Sequence, residues 1–495
     1  MNILFATSEM YPLIKTGGLA DVSAGLPAAL GALQQDVRVV LPAYRDVLET
    51  VGAVTELGSF WVNGCGGSRR VKVLCADESP LETTVWLLAV DDLFNRPGNP
   101  YLNADGEDWW DNGERFGLFS RAVVELAMDR GGLRWQPDVV HCHDWQTGLV
   151  PALLSLETPR PRTVFTIHNL SYLGRFPYAL FEGLGLPSAW WHYEKLEFYD
   201  TLAMLKGGIV FADQVTTVSP SYAEEICQPD HGLGLHGALE LCRNEGRLTG
   251  IINGMDTAVW NPAKDPYLPF RYSVQRGRVA EKKRNKQALL DQLAGSVASD
   301  AVEQPLCGFV GRLVEQKGID LITAALPQLL ESSTACFVFI GTGQSHYEQQ
   351  LRDLAQRHPR RVFVYIGYSE ALAHVLEAGC DLFLMPSRFE PCGLNQMYSL
   401  AYGTPPVVHA TGGLKDTVVD VTEDSLKTGR ATGFVFSDAT VEDFLAAAQR
   451  ALALFARPRS WQQLQKNGME QDFSWTLSAG RYLDLYRSGG NDGDS

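Results

Sequence analysis

The strongest constraint on the fold is a pattern that occurs twice along the chain, in which short apolar runs alternate with stretches of helical periodicity. Runs rich in Val, Ile, Leu and Phe between helices are typical of parallel strands that are covered on both faces. The predicted strands of the first half are Ile3 to Ala6, Val37 to Leu41, Val71 to Leu74, Val85 to Val90, Val139 to Cys142, Val164 to Ile167 and Val215 to Val218. Those of the second half are Leu306 to Val310, Phe337 to Ile340, Val362 to Ile366, Leu382 to Met385, Val407 to His409 and Phe434 to Phe436. The sequence therefore predicts an α/β protein with two doubly wound, Rossmann-like domains.

The join between the two predicted domains lies in a turn-rich segment from Ile252 to Pro262. This segment contains the turn-forming pairs Asn253-Gly254 and Asn261-Pro262 and precedes a long polar stretch. A chain of 495 residues is also longer than one core usually needs. We therefore predict domains at residues 1–254 and 255–473.

The C-terminal end is expected to leave the second domain. A helical pattern from Thr476 to Arg487 follows the last predicted strand. We expect residues 474–488 to form a helix that crosses back to the N-terminal domain. Residues 489–495 are polar and rich in glycine, which predicts a disordered tail.

Charge and cysteine usage limit the cellular setting and the partners. The formal net charge of −16 argues against a nucleic-acid or anionic-membrane partner, because either surface would repel the chain at long range. The nine cysteines include no CxxC pair, so neither a zinc knuckle nor a disulfide framework is predicted. Met1 to Thr7 has the pattern of a buried strand rather than a basic leader, and no apolar run is long enough to span a bilayer. These features predict a cytoplasmic protein.

Two similar glycine turns occur, one in each predicted domain: Thr16-Gly17-Gly18-Leu19-Ala20-Asp21 and Thr411-Gly412-Gly413-Leu414-Lys415-Asp416. Each is predicted to follow a strand and to open a helix. Such a turn brings backbone N–H groups and a helix N-terminus together, which favours a phosphate or sugar hydroxyls. A tight turn that needs glycine for steric reasons alone is the alternative, and the repetition favours the binding interpretation.

A pair of cations follows the first strand of the second domain. Arg312 comes directly after the predicted strand, and Lys317 lies five residues further on at a predicted helix start. Cations at the carboxyl end of a strand and at a helix N-terminus are suited to a diphosphate, which Arg binds through its planar fork and Lys as a point charge. Ordinary solvated surface charges are the alternative.

Glu390 lies in the segment Ser387 to Leu394, just past the predicted strand that ends at Met385. A carboxylate at the carboxyl end of a strand is placed to bind sugar hydroxyls or a developing positive charge. The alternative is that Glu390 caps a helix that begins near Gly393. Because capping would not explain the neighbouring Arg388 and Cys392, we favour the functional interpretation.

Histidines follow two neighbouring strands. His141 and His143 alternate along one strand and should share a face, whereas His168 ends the next strand. A metal site at the first two is conceivable. No third ligand has a suitable spacing, so hydrogen bonding at the strand ends is the preferred interpretation.

Other patterns receive simpler interpretations. Gly232 to Gly237 matches G-x-G-x-x-G by letter, but no strand precedes it, so a dinucleotide site is not predicted. The run from Glu281 to Lys286 is interpreted as the solvated face of a helix. The pairs Trp109-Trp110 and Trp190-Trp191 are suited to stacking on sugar rings, although large aromatic residues more often lie in a core.

A series of motifs occurs in a fixed order from Asn2 to about Tyr486. In chain order they are Lys15-Thr16-Gly17-Gly18-Leu19-Ala20-Asp21-Val22, His143-Asp144-Trp145, Thr166-Ile167-His168-Asn169, Asn253-Gly254-Met255-Asp256, Gly311-Arg312, Glu390-Pro391-Cys392-Gly393-Leu394 and Thr411-Gly412-Gly413-Leu414. This series resembles that of bacterial glycogen synthases, and its joint occurrence is far more specific than any single motif. The resemblance implies a GT-B fold, in which two Rossmann-like domains face each other across a cleft.

The resemblance also implies an activity. Members of this family transfer glucose from ADP-glucose to the non-reducing end of an α-1,4-glucan, with retention at the anomeric carbon. ADP-glucose and glycogen are therefore the expected partners, and neither a metal nor another cofactor is expected. No particular oligomeric state is predicted.

The catalytic set that the resemblance implies is Lys15, His168, Arg312, Lys317 and Glu390. Lys15 would contact the phosphates and sugar of the donor, and Arg312 and Lys317 would neutralise the departing diphosphate. Glu390 would hold the donor glucose, and His168 would lie beside its anomeric face.

Further positions match the family's donor and acceptor contacts. The implied donor contacts are Gly17, Gly18, Asn253, Tyr368, Cys392, Gly393, Leu394, Thr411, Gly412 and Gly413, with Tyr368 against adenine. The implied acceptor or cleft contacts are Glu9, Asp21, Asp144, Trp145 and Asn169. Gln146, Leu173 and Phe94 depart from the expected pattern, and this bears on acceptor contacts more than on donor chemistry.

Glu390 is the only convincing carboxylate, whereas hydrolytic glycosidases flank the bond with two. The hypothesis is that the acceptor hydroxyl attacks on the face that ADP leaves, that the leaving phosphate takes the proton, and that closure of the two domains assembles the site and excludes water. Two other hypotheses are a glucan-binding relative that lost catalysis and a relative that uses UDP-glucose. Intact Lys15, Arg312, Lys317 and Glu390 argue against the first of these.

Overall fold

The computed structural model describes residues 1–76, 81, 83–274, 280–294 and 301–488. The chain forms two compact units, of which the first comprises Met1–Gly254 and Trp475–Ser495 and the second Met255–Ser474. The predicted tail, residues 489–495, lies outside the described residues.

The first unit is built on a nine-stranded sheet, as counted over the described residues, and a small three-stranded sheet. The strands are β1 (Asn2–Ala6), β2 (Asp36–Pro42), β3 (Val54–Gly64), β4 (Gly67–Ala76), β5 (Thr84–Ala89), β6 (Val139–His143), β7 (Arg162–Ile167), β8 (Arg175–Pro177), β9 (Glu197–Phe198), β10 (Thr201–Ala203), β11 (Gln214–Thr217) and β12 (Leu248–Gly250). The large sheet has the order β12-β11-β7-β6-β1-β2-β5-β4-β3, and the small one the order β8-β10-β9.

The large sheet is not wholly parallel, which corrects the sequence prediction. β4 pairs antiparallel with both β3 and β5, whereas the other neighbours are parallel. β3 was not predicted because only alternate residues near its end, Phe60 and Val62, are buried. A strand with one exposed face lacks the continuous apolar run that marks a strand covered on both faces.

Helices connect and cover the strands of the first unit. They are α1 (Gly18–Ala32), α2 (Arg45–Val51), α3 (Asp91–Phe94), α4 (Asn112–Ala127), α5 (Leu149–Leu154), α6 (Tyr178–Gly183), α7 (Met204–Phe211), α8 (Pro220–Glu225) and α9 (His236–Asn244). Gly232 lies between α8 and α9 without a strand before it, so the structure agrees that this glycine pattern lacks the dinucleotide-binding context.

The second unit contains a parallel sheet of the order β15-β14-β13-β16-β17-β18. Its strands are β13 (Leu306–Val310), β14 (Cys336–Gly341), β15 (Val362–Ile366), β16 (Leu382–Met385), β17 (Pro406–His409) and β18 (Phe434–Phe436). Its helices are α10 (Ala280–Ala294), α11 (Ile319–Ser332), α12 (Ser345–Arg357), α13 (Glu370–Gly379), α14 (Asn395–Ala401), α15 (Gly412–Thr417), α16 (Glu423–Lys427), α17 (Val441–Phe455) and α18 (Pro458–Met469). Every strand predicted for this unit is present, in the strand order of a Rossmann fold.

The last helix, α19 (Trp475–Arg487), belongs to the first unit. Trp475 packs so closely on α1 that a Cβ added at Gly25 would lie 2.0 Å from its Nε1. The Ser478 hydroxyl donates to the carbonyl of Ile252 at 2.7 Å. Tyr486 is buried, and its Oη lies 2.7 Å from Nδ1 of His141 on β6.

The run from Glu281 to Lys286 is only partly solvated, because Lys283 and Arg284 are exposed but its other lysines are not. This corrects a second prediction. Lys282, Asn285 and Lys286 are buried on the inner side of α10. Lys282 Nζ donates to the carbonyls of Glu377 and Ala378, both at 3.0 Å, at the C-terminal end of α13. The spacing of i, i+3 and i+4 places these residues on one helical face. The last carbonyls of a helix have no donor within the helix, so they provide the acceptors that the buried ammonium needs.

Two further features bear on sequence expectations. In the part of the chain that the structure describes, no helix is long and apolar enough to cross a bilayer. The tryptophan pairs differ, because Trp190 is buried in the core whereas Trp110 is 87% exposed.

Candidate active site

In each unit, predicted site residues follow two neighbouring strands at which the strand order reverses. In the second unit these strands are β13, which leads to Arg312, and β16, which leads to Glu390. In the first unit they are β1, which leads towards Lys15, and β6, which leads to Asp144. The carboxyl ends of strands at such a switch point are where open α/β sheets bind ligands.

Glu9 holds the first glycine turn in place. Its carboxylate is 3% exposed and accepts from the backbone N–H of Thr16 at 2.5 Å and of Gly17 at 3.1 Å. It also accepts from the hydroxyl of Thr16 at 2.6 Å and from that of Tyr101 at 2.5 Å. The family resemblance implied Glu9 as a cleft residue, whereas no local sequence signal connects Tyr101 to the turn. In this structure the Glu9 carboxylate is engaged in fixing the backbone of the turn.

The first glycine turn is open on its glycine side. A Cβ added at Gly17 or Gly18 would meet no heavy atom within 4 Å. Gly17 has an extended backbone and precedes the first turn of α1, where no side chain caps the helix. The positive end of the helix dipole is therefore accessible to an anion at this point. Lys15 lies beside it, 42% exposed at its side chain, with its Nζ 2.8 Å from the Asp21 carboxylate.

The carboxylate of Asp144 is hydrogen-bonded to the backbone just after β7. Its carboxylate accepts from the N–H of His168 at 2.8 Å. Burial raises the pKa of Asp144 to about 7, although hydrogen bonds from the backbone of His168 and Asn169 act in the opposite direction. Asp144 has a φ of +55°, in the left-handed region that a non-glycine residue rarely adopts. Functional positions often contain such strained backbone.

The three histidines predicted at these strand ends form a close group. His143 Nδ1 lies 2.9 Å from His168 Nε2, and the rings of His141 and His143 are 4.1 Å apart. Burial lowers the pKa of His168 to about 3 and holds the pKa values of the other two well below 6.5, so all three rings are neutral. Both ring nitrogens of His141 are hydrogen-bonded to hydroxyl groups, Nε2 to that of Thr166 at 2.6 Å and Nδ1 to that of Tyr486. Neither nitrogen is therefore available to bind an ion. Across the described ranges, no group of His, Cys, Asp and Glu has the arrangement of a metal site.

The remaining predicted cleft residues of the first unit are mostly packed. Trp145 contacts Phe116, with ring centroids 5.0 Å apart. Asn169 Oδ1 accepts from the N–H of Ser171 at 3.0 Å. Asn253 is buried, and its Oδ1 has no hydrogen-bond partner within the described part of the chain.

The three positions that depart from the expected family pattern have different settings. Phe94 is buried in the core, and the Arg115 guanidinium lies 5.4 Å from its ring centroid. Gln146 is also buried. Leu173 is half-buried, and its carbonyl accepts from the N–H of Leu205 at 3.1 Å. Phe94 therefore contributes to the core, whereas the buried Oε1 of Gln146 has no hydrogen-bond partner among the described residues.

In the second unit, Lys317 and Glu390 form the centre of the predicted donor site. Lys317 Nζ lies 2.5 Å from Glu390 Oε2, and the Ser387 hydroxyl donates to the same oxygen at 3.1 Å. Glu390 is 8% exposed. The capping alternative is excluded, because α14 begins at Asn395 and no side chain caps its N-terminus.

Arg312 is exposed on the same unit, with its Nη2 3.1 Å from Gln316 Oε1. The backbone of Gln316 accepts from the N–H of Arg388 at 2.9 Å. The short turn that leads from Arg312 to Lys317 is thus tied to the segment that contains Glu390. This backbone hydrogen bond fixes the two cations, Arg312 and Lys317, relative to the Glu390 segment.

The second glycine turn differs from the first because it is closely packed. A Cβ at Gly412 would lie 2.1 Å from the carbonyl oxygen of Glu390, and one at Gly413 would lie 2.0 Å from that of Cys392. The N–H of Gly413 donates to the Glu390 carbonyl at 3.1 Å. Thr411 precedes the first turn of α15, and Leu394 that of α14. The glycines of this turn therefore allow the backbone to approach and support the Glu390 segment.

Tyr368 lies in the same unit after β15. Its side chain is 79% exposed, and its hydroxyl donates to Glu370 at 2.5 Å. Gly393, between Cys392 and Leu394, has a φ of +72°. This left-handed conformation suits glycine and turns the chain from the Glu390 segment into α14.

Comparison with known proteins identifies the class to which the chain belongs. The family model described as the starch synthase catalytic domain matches residues 2–241, and that described as glycosyl transferases group 1 matches residues 298–468. The catalytic domain of starch synthase IV from Arabidopsis thaliana, solved bound to ADP and acarbose, superposes with a TM-score of 0.84 at 34% identity and covers 98% of each chain. A sucrose-phosphate synthase from Thermosynechococcus elongatus, at 18% identity and a TM-score of 0.58, shares the fold. The chain is thus a glycosyltransferase with the GT-B fold.

Similar curated proteins specify the family. The glycogen synthase of Hydrogenovibrio crunogenus is 57% identical over 489 residues, which cover 99% of this chain and all of that protein. That of Thioalkalivibrio sulfidiphilus is 52% identical over 98% of this chain and 99% of its own length. The chain belongs to the glycogen synthase family.

Proposed function

We propose that this glycosyltransferase transfers glucose from ADP-glucose to the non-reducing end of an α-1,4-glucan and retains the anomeric configuration. The observation that carries the proposal is the pair Lys317 and Glu390 at the switch point of the second unit, 2.5 Å apart and supported by Ser387. A cation beside a carboxylate in one site is suited to a ligand that has both a diphosphate and sugar hydroxyls.

In the second unit, Arg312 and Lys317 stabilise the negative charge that grows on the diphosphate as it departs. In this proposal, side chains rather than a metal ion neutralise the charge of the leaving group. Glu390 accepts hydrogen bonds from hydroxyls of the donor glucose, and Tyr368 stacks on the adenine through its exposed ring. The surrounding segments also contact the donor, through Cys392, Gly393, Leu394, Thr411, Gly412 and Gly413.

In the first unit, the open side of the turn at Gly17 and Gly18 leaves room for the donor phosphates at the N-terminus of α1, while Glu9 holds the N–H groups of Thr16 and Gly17. Lys15 adds a positive charge, and on binding the phosphates its ammonium gives up its ion pair with Asp21. His168 lies beside the anomeric face of the glucose, with Asn253 nearby as a donor-sugar contact. The acceptor contacts assigned to this unit are Glu9, Asp21, Asp144, Trp145 and Asn169.

The reaction is a direct exchange of two bonds at the anomeric carbon. The bond from this carbon to the diphosphate oxygen breaks while the bond to the acceptor hydroxyl oxygen forms on the same face. The departing phosphate oxygen takes the hydroxyl proton, and ADP leaves. Fixed cations that face charge as it develops typically contribute about 3 to 4 kcal/mol each to lowering the barrier.

The test is incubation of purified protein with glycogen and radiolabelled ADP-glucose or UDP-glucose. The proposal predicts labelled polymer and released ADP in equal amounts, with little transfer from UDP-glucose. A preference for UDP-glucose would contradict the assigned donor. Binding of glycogen without turnover of either donor would show a glucan-binding protein instead.

A further inference from the structure

The imidazoles of His143 and His168 are joined at the ends of neighbouring strands. β6 and β7 are parallel with His143 opposite Thr166, so His168 follows just beyond the paired residues. His143 Nδ1 lies 2.9 Å from His168 Nε2. His143 is fully buried, with its ring 4.0 Å from that of Phe5 and 4.1 Å from that of His141. The ring of His143 is therefore held by packing on the side away from His168.

A hydrogen bond between two neutral imidazoles requires a proton on one of the facing nitrogens and a lone pair on the other. Burial lowers the pKa of both rings, so each carries a single N–H. If His143 Nδ1 is the donor, the proton of His168 must be on Nδ1. If His168 Nε2 is the donor, the proton of His143 must be on Nε2. The tautomers of the two residues are thus coupled.

The surroundings of His143 Nε2 distinguish these two arrangements. This nitrogen is buried and has no hydrogen-bond partner among the residues that the structure describes. His141 is not a hydrogen-bond partner of this nitrogen, because both nitrogens of His141 are hydrogen-bonded to hydroxyl groups. The second arrangement would leave a buried N–H unpaired, whereas the first leaves only a lone pair. Unpaired buried N–H groups are the rarer of the two in proteins.

We propose that His143 is a positioning residue that donates from Nδ1 to His168 Nε2 and so keeps the proton of His168 on Nδ1. His168 is part-buried, and its Nδ1 takes part in none of the hydrogen bonds found within the described ranges. That nitrogen is then presented to an oxygen atom of the sugar as a donor rather than as an acceptor. This role rests on the proposed function, in which His168 lies beside the donor glucose.

The first test is the tautomer itself, measured by long-range ¹H–¹⁵N NMR on the protein labelled at histidine. The signal of His168 is assigned by its loss in His168→Gln. We expect a protonated Nδ1 and an unprotonated Nε2 in the ligand-free protein. His143→Asn should keep this state, because its amide N–H replaces the donor, whereas His143→Phe keeps a packed ring but should give a mixture of tautomers. A proton on Nε2 in the unmodified protein, or an unchanged tautomer in His143→Phe, would overturn the proposal.

The second test is kinetic. Because the proton position matters at the reacting centre, His143→Phe should lower kcat roughly ten- to a hundredfold with a smaller effect on KM, and His143→Asn should restore most of it. A tautomer that changes in His143→Phe while kcat does not would overturn the positioning role. Failure of the proposed function has a different signature, namely no transfer from ADP-glucose by the unmodified protein while the NMR result stands.

Discussion

Lys317 and Glu390, 73 positions apart along the chain, form an ion pair with Nζ 2.5 Å from Oε2. Lys317 is half-buried and Glu390 buried, so each charge has lost much of its water and is compensated by the other. A donor diphosphate that binds Lys317 must therefore replace a carboxylate as its partner, which frees the oxygens of Glu390 for sugar hydroxyls.

This arrangement predicts a large kinetic effect for Lys317→Ala. Loss of the cation should lower kcat by roughly a hundredfold or more, because it faces charge that develops on the leaving group. The measurement is steady-state transfer from ADP-glucose, with the exposed Lys427→Ala as the matched control. Normal turnover in Lys317→Ala would contradict the assignment.

The two glycine turns predict opposite outcomes for the same substitution. Gly413→Ala should lower the thermal midpoint by several degrees, because its Cβ would lie 2.0 Å from the Cys392 carbonyl oxygen and neither backbone can move freely. Gly18→Ala should leave the midpoint unchanged, since no atom lies within 4 Å of its Cβ. If the open face binds the donor phosphates, Gly18→Ala should instead raise KM for ADP-glucose roughly tenfold, about 1.4 kcal/mol. Equal thermal midpoints for both variants would contradict this distinction.

The sequence predicted most of the scaffold because the strands of a doubly covered sheet are continuous apolar runs. β1 and β13 are examples, and the motif residues that follow them were correctly placed at carboxyl ends. β3 was missed because one of its faces is exposed, and the small sheet of β8 to β10 because each of its strands has three residues or fewer. Local patterns identify elements that are long or fully buried.

The details of the site depend on contacts between distant residues, which local patterns do not encode. Tyr101 reaches Glu9 across 92 positions. The packed second glycine turn shares the sequence Thr-Gly-Gly-Leu with the open first one, and only tertiary structure distinguishes their roles. Lys282 was placed in solvent because lysines seldom lie in a core, whereas the end of α13 supplies its acceptors.

Lys282 predicts a stability difference between adjacent lysines. Lys282 is buried, its Nζ lies 2.6 Å from Thr404 Oγ1, and burial lowers its pKa to about 8. Lys282→Met should lower the free energy of unfolding by about 3 kcal/mol, because the carbonyls of Glu377 and Ala378 lose their donor. Lys283→Met, at an exposed position on the same helix, should change it by less than about 0.5 kcal/mol. Urea denaturation measures both, and equal losses would contradict the structure.

Asp144 predicts a pH dependence of stability. Its folded pKa of about 7 lies above the ordinary value of 3.8, so the folded state retains a proton that the unfolded state has lost between these values. The stabilisation is complete below about pH 4 and is lost as the pH rises through about 7. Relative to Asp144→Asn, the protein should lose at most about 1.4 kcal/mol of stability per pH unit across this window. The measurement is urea denaturation of both proteins at a series of pH values. Parallel plots of unfolding free energy against pH for the unmodified protein and Asp144→Asn would contradict the raised pKa of Asp144.

Tyr486 and His141 allow structural support of the histidine group to be separated from proton positioning. Tyr486→Phe keeps the ring but leaves His141 Nδ1 without its partner, so the free energy of unfolding should fall by about 1 to 2 kcal/mol. Leu477→Ala, at an exposed position of α19, is the control and should have a small effect. Because the hydrogen bonds of His141 do not include His168, Tyr486→Phe should retain kcat, in contrast to His143→Phe. A fall in kcat as large as that of His143→Phe, at temperatures where both variants remain folded, would show that the histidines act as a single unit.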